Sequence, residues 1–223
     1  IYVIRNGGSD HQIAPSMRVN LWTTQGPITG VFGRPAIHTR LPAEEPKLEV
    51  SNLSIDVGAS DKAEVEKMGI HVGTVVTFDA NFMLLNDRYY VCRALDNRIG
   101  GYMIAQVAKK LTENKKKLPF WLYVVNSVQE EVGLYGAQMI TDTIKPNLAI
   151  VTDVTHDTST PLHMNVKKHG DTKCGLWPVV SYAPSVHNIL RDLTIEVANK
   201  NNIAFQRQAN SRYTGTDTDA FAF

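Results

Sequence analysis

Cysteine is scarce in this chain: two residues, Cys92 and Cys174, in 223. Two lone thiols far apart exclude a disulfide-stapled scaffold and suit a reducing compartment, so the cytoplasm is the default location. Neither belongs to a CxxC pair, so neither is assigned to zinc, and Cys92 reads as a small buried residue beside Asp96. Charge of one sign is also missing. Lys and Arg total 23 against 22 Asp and Glu, a net of +1, so no global field argues for nucleic acid or an anionic membrane. No apolar run approaches the roughly 18 residues of a membrane span, and no secretory signal is visible. There is no HExxH, no phosphate-binding glycine motif, no internal repeat and no low-complexity tract. What remains is ordinary globular material, 43% hydrophobic and 20% charged, enough for one large domain or two small ones.

The pattern changes near residues 84–90. Before that, short apolar runs at Met17–Leu21, Ile28–Phe32, Leu53–Val57 and Val75–Phe78 alternate with Gly, Pro, Asn and Asp. They predict a small all-β barrel or sandwich. One short helix fits Asp61–Met68, capped by Ser60, with Val65 and Met68 on one side; Pro42–Pro46 reads as a loop. Beyond residue 88 strands and helices alternate. Strands are expected at Tyr89–Ala94, Phe120–Val125, Leu148–Thr152 and Ile203–Gln208. Helices are expected at Arg98–Lys116, Leu134–Ile144 and Val186–Asn199. Ser185 would cap the last of these, and Ile189, Leu190, Leu193 and Val197 would point inward. That alternation implies crossover units: an α/β fold with a mostly parallel sheet flanked by helices.

Carboxylates stand at the exits of three of these strand-like runs: Asp96, the neighbours Glu130 and Glu131, and Asp153. In an open parallel sheet such exits share one edge, where these folds build their sites. Four converging carboxylates repel one another unless cations neutralise them, so the pattern points to a metal site. A pair of hydrolytic metals about 3.5–4 Å apart needs a bridging carboxylate and a few terminal ligands. Asp96, followed at once by a helix, suits the bridge. One of Glu130 and Glu131 can bind metal while the other holds a proton beside an attacking water. Asp153 would be a terminal ligand. The competing reading makes each acid a helix cap or a solvated loop residue. Among the histidines, His38, His156 and His169 lie near interesting segments; each reads as exposed or hydrogen-bonded, although His156 could line the site.

The stretches ALDNRIGG (94–101), VVNSVQEEVGLYGA (124–137), AIVTDVTHDTSTP (149–161) and YTGTDTDA (213–220) resemble the tetrahedral aminopeptidases, co-catalytic dinuclear metallopeptidases of the glutamyl, lysyl and deblocking group. GPITGVFGRPAIH (26–38) and GIHVGTVVTFD (69–79) resemble that family's inserted β domain. The resemblance implies a PDZ-like β insert for oligomerisation over residues 1–86, and an α/β metallopeptidase domain over 87–223. It implies two zinc or cobalt ions per subunit, with Asp96 bridging, Glu131 and Asp153 as ligands, and Glu130 as the general base. It implies an unusual peptide bond between Asp96 and Asn97. It implies hollow homo-oligomers, typically dodecamers, that trim short peptides from the N-terminus. The family's histidine ligands come from an HxD motif upstream and from a His beyond the GTDTDA region, so this stretch reads as truncated at both ends. Trp177, where relatives often have a Gly-rich turn, would reshape the substrate pocket. Two further readings stay open: a related hydrolase of acylated or glycan substrates, and a binding or assembly protein without activity.

Overall fold

The structure is a computed structural model, described over residues 1–41, 47–161 and 168–222. The expected loop at Pro42–Pro46 lies outside the described residues. The chain divides into two compact units, Ile1–Arg93 and Ala94–Phe223, and the fold is α/β.

The first unit is built on an antiparallel four-stranded sheet. Strand β1 (Arg18–Thr23) pairs with β2 (Gly26–Gly33) on one side and β4 (Val75–Phe78) on the other, and β3 (Ser54–Asp56) adds to β2. Alternation along β1 turns Val19 and Leu21 inward, where both are fully buried. They join Ala14, Phe32, Leu53, Ile55 and Ile70 in one apolar cluster. Gly30 sits where strands approach closely: a Cβ there would fall 2.6 Å from the Ile55 side chain and 2.9 Å from that of Leu21, so the sheet can close over its core only with glycine at this point.

Helix α1 (Lys62–Lys67) follows. Its cap is Asp61, whose side chain accepts from the Glu64 amide at 2.9 Å, and not Ser60 as the sequence suggests. The Ser60 amide instead donates to the Glu64 carboxylate at 2.8 Å, completing a reciprocal capping arrangement. Val65 and Met68 pack against the core as their spacing predicts. A hairpin of β5 (Met83–Leu85) and β6 (Tyr89–Val91) ends the unit, so residues 89–91 pair locally and not into a parallel sheet. Cys92, just after it, is half-buried where full burial was expected.

The second unit carries helices α2 (Leu95–Glu113), α3 (Tyr135–Ile144), α4 (Asn188–Lys200) and the short α5 (Thr218–Ala222). Strands β7 (Val179–Tyr182) and β8 (Gln206–Ala209) pair in parallel across α4, one crossover of the predicted kind. The rest of the predicted parallel sheet differs. Residues 120–125 and 148–152 form no ladder among the described residues. Apolar runs read as buried parallel strands only when neighbours cover both faces. Here Trp121 is 89% and Ile150 77% exposed, so no such cover exists among the described residues.

The same reason overturns part of the α4 expectation: Ile189, Leu193 and Val197 face outward. Its cap is His187, whose Nδ1 accepts from the Leu190 amide at 3.4 Å, one residue from the helix start and two beyond the expected Ser185.

Candidate functional site

All five acids of the candidate site belong to the second unit. Asp96 stands at the head of α2, where the backbone is not yet helical: Asp96 has φ −80° and ψ 108°, Asn97 φ −120° and ψ 55°. The Asp96–Asn97 peptide bond is cis, the feature that the resemblance implied at this point. Asn97 then ties two segments together. Its Nδ2 donates to the Thr152 carbonyl at 2.6 Å, and its Oδ1 accepts from the Gly100 amide at 2.8 Å. One side chain thereby holds the Asp96 segment against the residue before Asp153. Gly100 is buried under this link. A Cβ there would lie 2.6 Å from both amide atoms of Asn97 and 2.8 Å from Thr152 Oγ1, so no larger residue fits without breaking the bridge.

Glu130 and Glu131 open a single 3-10 turn, Glu130–Val132. Left-handed residues flank it, Gln129 at φ 61° and Leu134 at φ 60°, with Gly133 at φ 138°. Both Gly133 and Leu134 donate their amides to the Glu130 carbonyl, at 3.1 and 3.2 Å. Helix α3 then starts so close to the strand-like run that the Gly136 amide reaches the Val128 carbonyl at 3.0 Å. Asp153 accepts from the amide of Val154 at 2.7 Å.

The electrostatics join these segments. Burial first, and then the negative charges of Asp153, Glu131, Asp217 and Asp96, push Glu130 up to about 7. Asp153 is also raised, by burial foremost and by Asp96 and Asp217, against the lowering effect of its Val154 hydrogen bond. The four acids picked out in the sequence therefore act on one another. A fifth, Asp217, joins them. It stands immediately before α5 and accepts a short hydrogen bond from Ser127 Oγ. Asp217 follows β8 by a loop instead of leaving an apolar run directly, so the strand-exit pattern does not single it out. The signal available was the hydroxyl- and acid-rich run Thr214–Asp219.

Three histidines lie near segments of interest. His169 Nδ1 pairs with the Ala209 carbonyl at 2.9 Å, and the His156 carbonyl accepts from Thr172. His38 lies in a 3-10 turn of the first unit. Trp177 is exposed, its carbonyl held by Gln206 Nε2 at 2.8 Å. No three His, Cys, Asp or Glu side chains among the described residues stand in ready ligating geometry. The donor set nonetheless fits a divalent cation. It is all carboxylate, hard and negative, Glu130 and Asp153 are raised by burial and by the acids around them, and Asp217 Oδ1 is buried with no hydrogen-bond partner.

Comparison with known proteins gives these acids a setting. The M42 glutamyl aminopeptidase family matches residues 2–223. The chain is 32% identical over 219 residues to a lysyl aminopeptidase of Pyrococcus furiosus, an alignment that takes in 97% of this chain and 61% of the relative. Among solved structures, a TET aminopeptidase from a marine sediment archaeon, Thaumarchaeota archaeon SCGC AB-539-E09, superposes with a TM-score of 0.86 at 28% identity, over 96% of this chain and 61% of that one. The Pyrococcus horikoshii TET1 peptidase, which can assemble into a tetrahedron or a large octahedral shell, gives 0.75 at 26% identity, over 96% and 62%. The chain thus spans about three-fifths of the length of these relatives, and over that length it belongs to the M42 glutamyl aminopeptidase family.

Proposed function

We propose that this chain carries most of the active site of a metal-dependent aminopeptidase that removes residues from the N-terminus of short peptides. The observation that carries the reading is Glu130, a half-buried carboxyl raised to about 7 by burial first and then by surrounding acids, three of them from other segments. A general base works best when its pKa lies near the working pH and it stands within reach of the proton it takes.

In this reading Asp96, Glu131 and Asp153 would hold two divalent cations, zinc or cobalt, with Asp96 serving both. Bound cations supply the positive charge that offsets these acids and polarises a scissile carbonyl. Glu130 takes a proton from water at its carboxylate and returns it to the departing amine. Asn97 fixes Asp96 relative to Asp153, and the turn at 129–134 fixes Glu130 relative to both. The negative charge around the site favours a substrate with a free, protonated α-amine. A cleft of about 280 Å³, partly lined by Tyr135, Met139 and Ile140, lies against the Ser127–Gln129 segment and offers apolar contact beside the base.

The first unit is, in this reading, the PDZ-like insert through which subunits assemble into a hollow dodecamer. In this reading the protein works in the cytoplasm, the compartment that suits its two lone thiols.

The test is a matched pair of peptides, one with a free N-terminus and one acetylated, incubated with the protein and cobalt or zinc. Cleavage of the free peptide alone supports an aminopeptidase. Cleavage of the blocked peptide alone would transfer the site to acylated substrates, and loss of neither, with metal bound, would favour an assembly role.

A further inference from the structure

The turn that presents Glu130 and Glu131 is not self-supporting. Gln129 and Leu134 both lie in the left-handed region without being glycine, a conformation that persists only where surrounding contacts hold it. Two tertiary contacts do so. At one end the Gly136 amide bonds the Val128 carbonyl. The two backbones are so close there that a Cβ on Gly136 would come within 2.3 Å of that oxygen. At the other end Ser127 Oγ donates to Asp217 Oδ2, across 90 residues of sequence.

Asp217 is itself presented by a prebuilt loop. Asp219 accepts from the Thr214 amide at 3.1 Å, Thr214 Oγ1 at 2.9 Å and the Gly215 amide at 3.0 Å. Those bonds occupy Asp219 and fix residues 214–219, and α5 packs against α3. The loop thus meets the glutamate turn through Asp217 and Ser127, and α5 rests on the helix that follows the turn. Asp217 uses one oxygen for Ser127. Its other oxygen is buried and has no hydrogen-bond partner.

We propose that the Ser127–Asp217 hydrogen bond is a clamp that positions the glutamate turn, with Asp217 a positioning residue for the reaction carried by Glu130. The inference rests on the reading of Glu130 as general base. Ser127 lies three residues before Glu130, so a shift at its hydroxyl is passed along a short, bent backbone to the base. A carboxylate suits the clamp because a charged acceptor holds a hydroxyl more firmly than a neutral one.

The test compares Ser127→Ala, Asp217→Ala, the double variant and Ser127→Thr in the full protein. The readouts are kcat and KM on a free-amine peptide, cobalt binding, and amide hydrogen exchange at Gly133 and Leu134. A hydrogen bond to a charged group contributes about 1.5–3 kcal/mol, so each alanine variant should lower kcat by roughly 10- to 100-fold while KM and cobalt affinity stay within about 2-fold. The double variant should be no slower than the slower single one, Ser127→Thr should recover most of the rate, and exchange at both amides should quicken in the alanine variants. Should Asp217→Ala fail to fold, Ser127→Ala and Ser127→Thr carry the comparison. Additive losses, unchanged exchange, or cobalt lost in Asp217→Ala but not in Ser127→Ala would overturn the clamp; the last result would make Asp217 a ligand. Wild-type protein that trims no peptide, with exchange still faster in both alanine variants, would overturn the aminopeptidase reading and leave the clamp standing.

Discussion

Replacing Glu130 by Gln separates the electrostatic cost of the site from its chemistry. Glu130 is raised from 4.5 to about 7 in the folded protein. The folded state thus binds this proton more tightly than the unfolded chain does, and ionising the group opposes folding. That cost is absent below about 4.5, grows as pH rises, and is complete above about 7. Taken at face value, the shift corresponds to about 3 kcal/mol at 1.36 kcal/mol per unit. Glu130 is only half-buried, and solvent screening reduces this to about 1 kcal/mol. Gln keeps the shape and never ionises. In the metal-free protein, Glu130→Gln should therefore be neutral at pH 5 and stabilising by about 1 kcal/mol at pH 8, a rise of roughly 2–4 °C in Tm for a chain of this size. Thermal melts with chelator at the two pH values measure it. The same variant, loaded with metal, should lose turnover by at least about 100-fold, the usual share of a general base. A variant that is no more stable than wild type at pH 8 would refute the claim that burial and neighbouring acids hold the Glu130 pKa up.

Other consequences follow from the same geometry. Gly100→Ala should destabilise the second unit by about 2 kcal/mol and weaken metal binding, because its Cβ would meet Asn97 at 2.6 Å; urea melts and a cobalt titration read both. Cation binding near pH 6 should release a proton from Glu130, whose pKa is raised to about 7, and Glu130 should release almost none at pH 8.5, where it is already ionised. Calorimetry in buffers of different ionisation enthalpy counts those protons, and equal release at both pH values would contradict the assignment for Glu130. Asp61→Ala should cost the first unit about 1 kcal/mol through loss of the α1 cap, with turnover per bound metal unchanged.

Much of the first unit was legible in the sequence because each of its strands shows its own alternation. Val19 and Leu21 face inward, and the four apolar runs became four paired strands. Caps were less legible. Ser60 and Asp61 are both good capping residues, and only the reach of the Asp61 side chain to the Glu64 amide decides between them. In the second unit, helices α2 and α3 follow from their periodicity, whereas the apolar runs at 120–125 and 148–152 say only what a strand would need, namely neighbours, and not whether these neighbours are at hand. Ile189, Leu193 and Val197 fail in the same way: periodicity marks a face, and packing decides whether it is covered.

Asp96, Glu130, Glu131 and Asp153 were legible as candidates because each follows an apolar run within a few residues, although the parallel sheet expected to gather them does not form among the described residues. Asp217 was not. Its place depends on the fold of the 214–219 loop and on a hydroxyl 90 residues away, and neither has a periodic signature. The Asn97 bridge to the Thr152 carbonyl was hidden for the same reason.

The central claim is that these acids form a metal-dependent aminopeptidase site with Glu130 as its base. The most direct test is mass spectrometry of a mixed peptide pool incubated with the cobalt- or zinc-loaded full protein, beside a chelated sample and a metal-loaded Glu130→Gln sample. Stepwise loss of N-terminal residues in the first sample alone is the predicted result. Trimming that survives chelator, or that Glu130→Gln performs at the wild-type rate, would contradict the account.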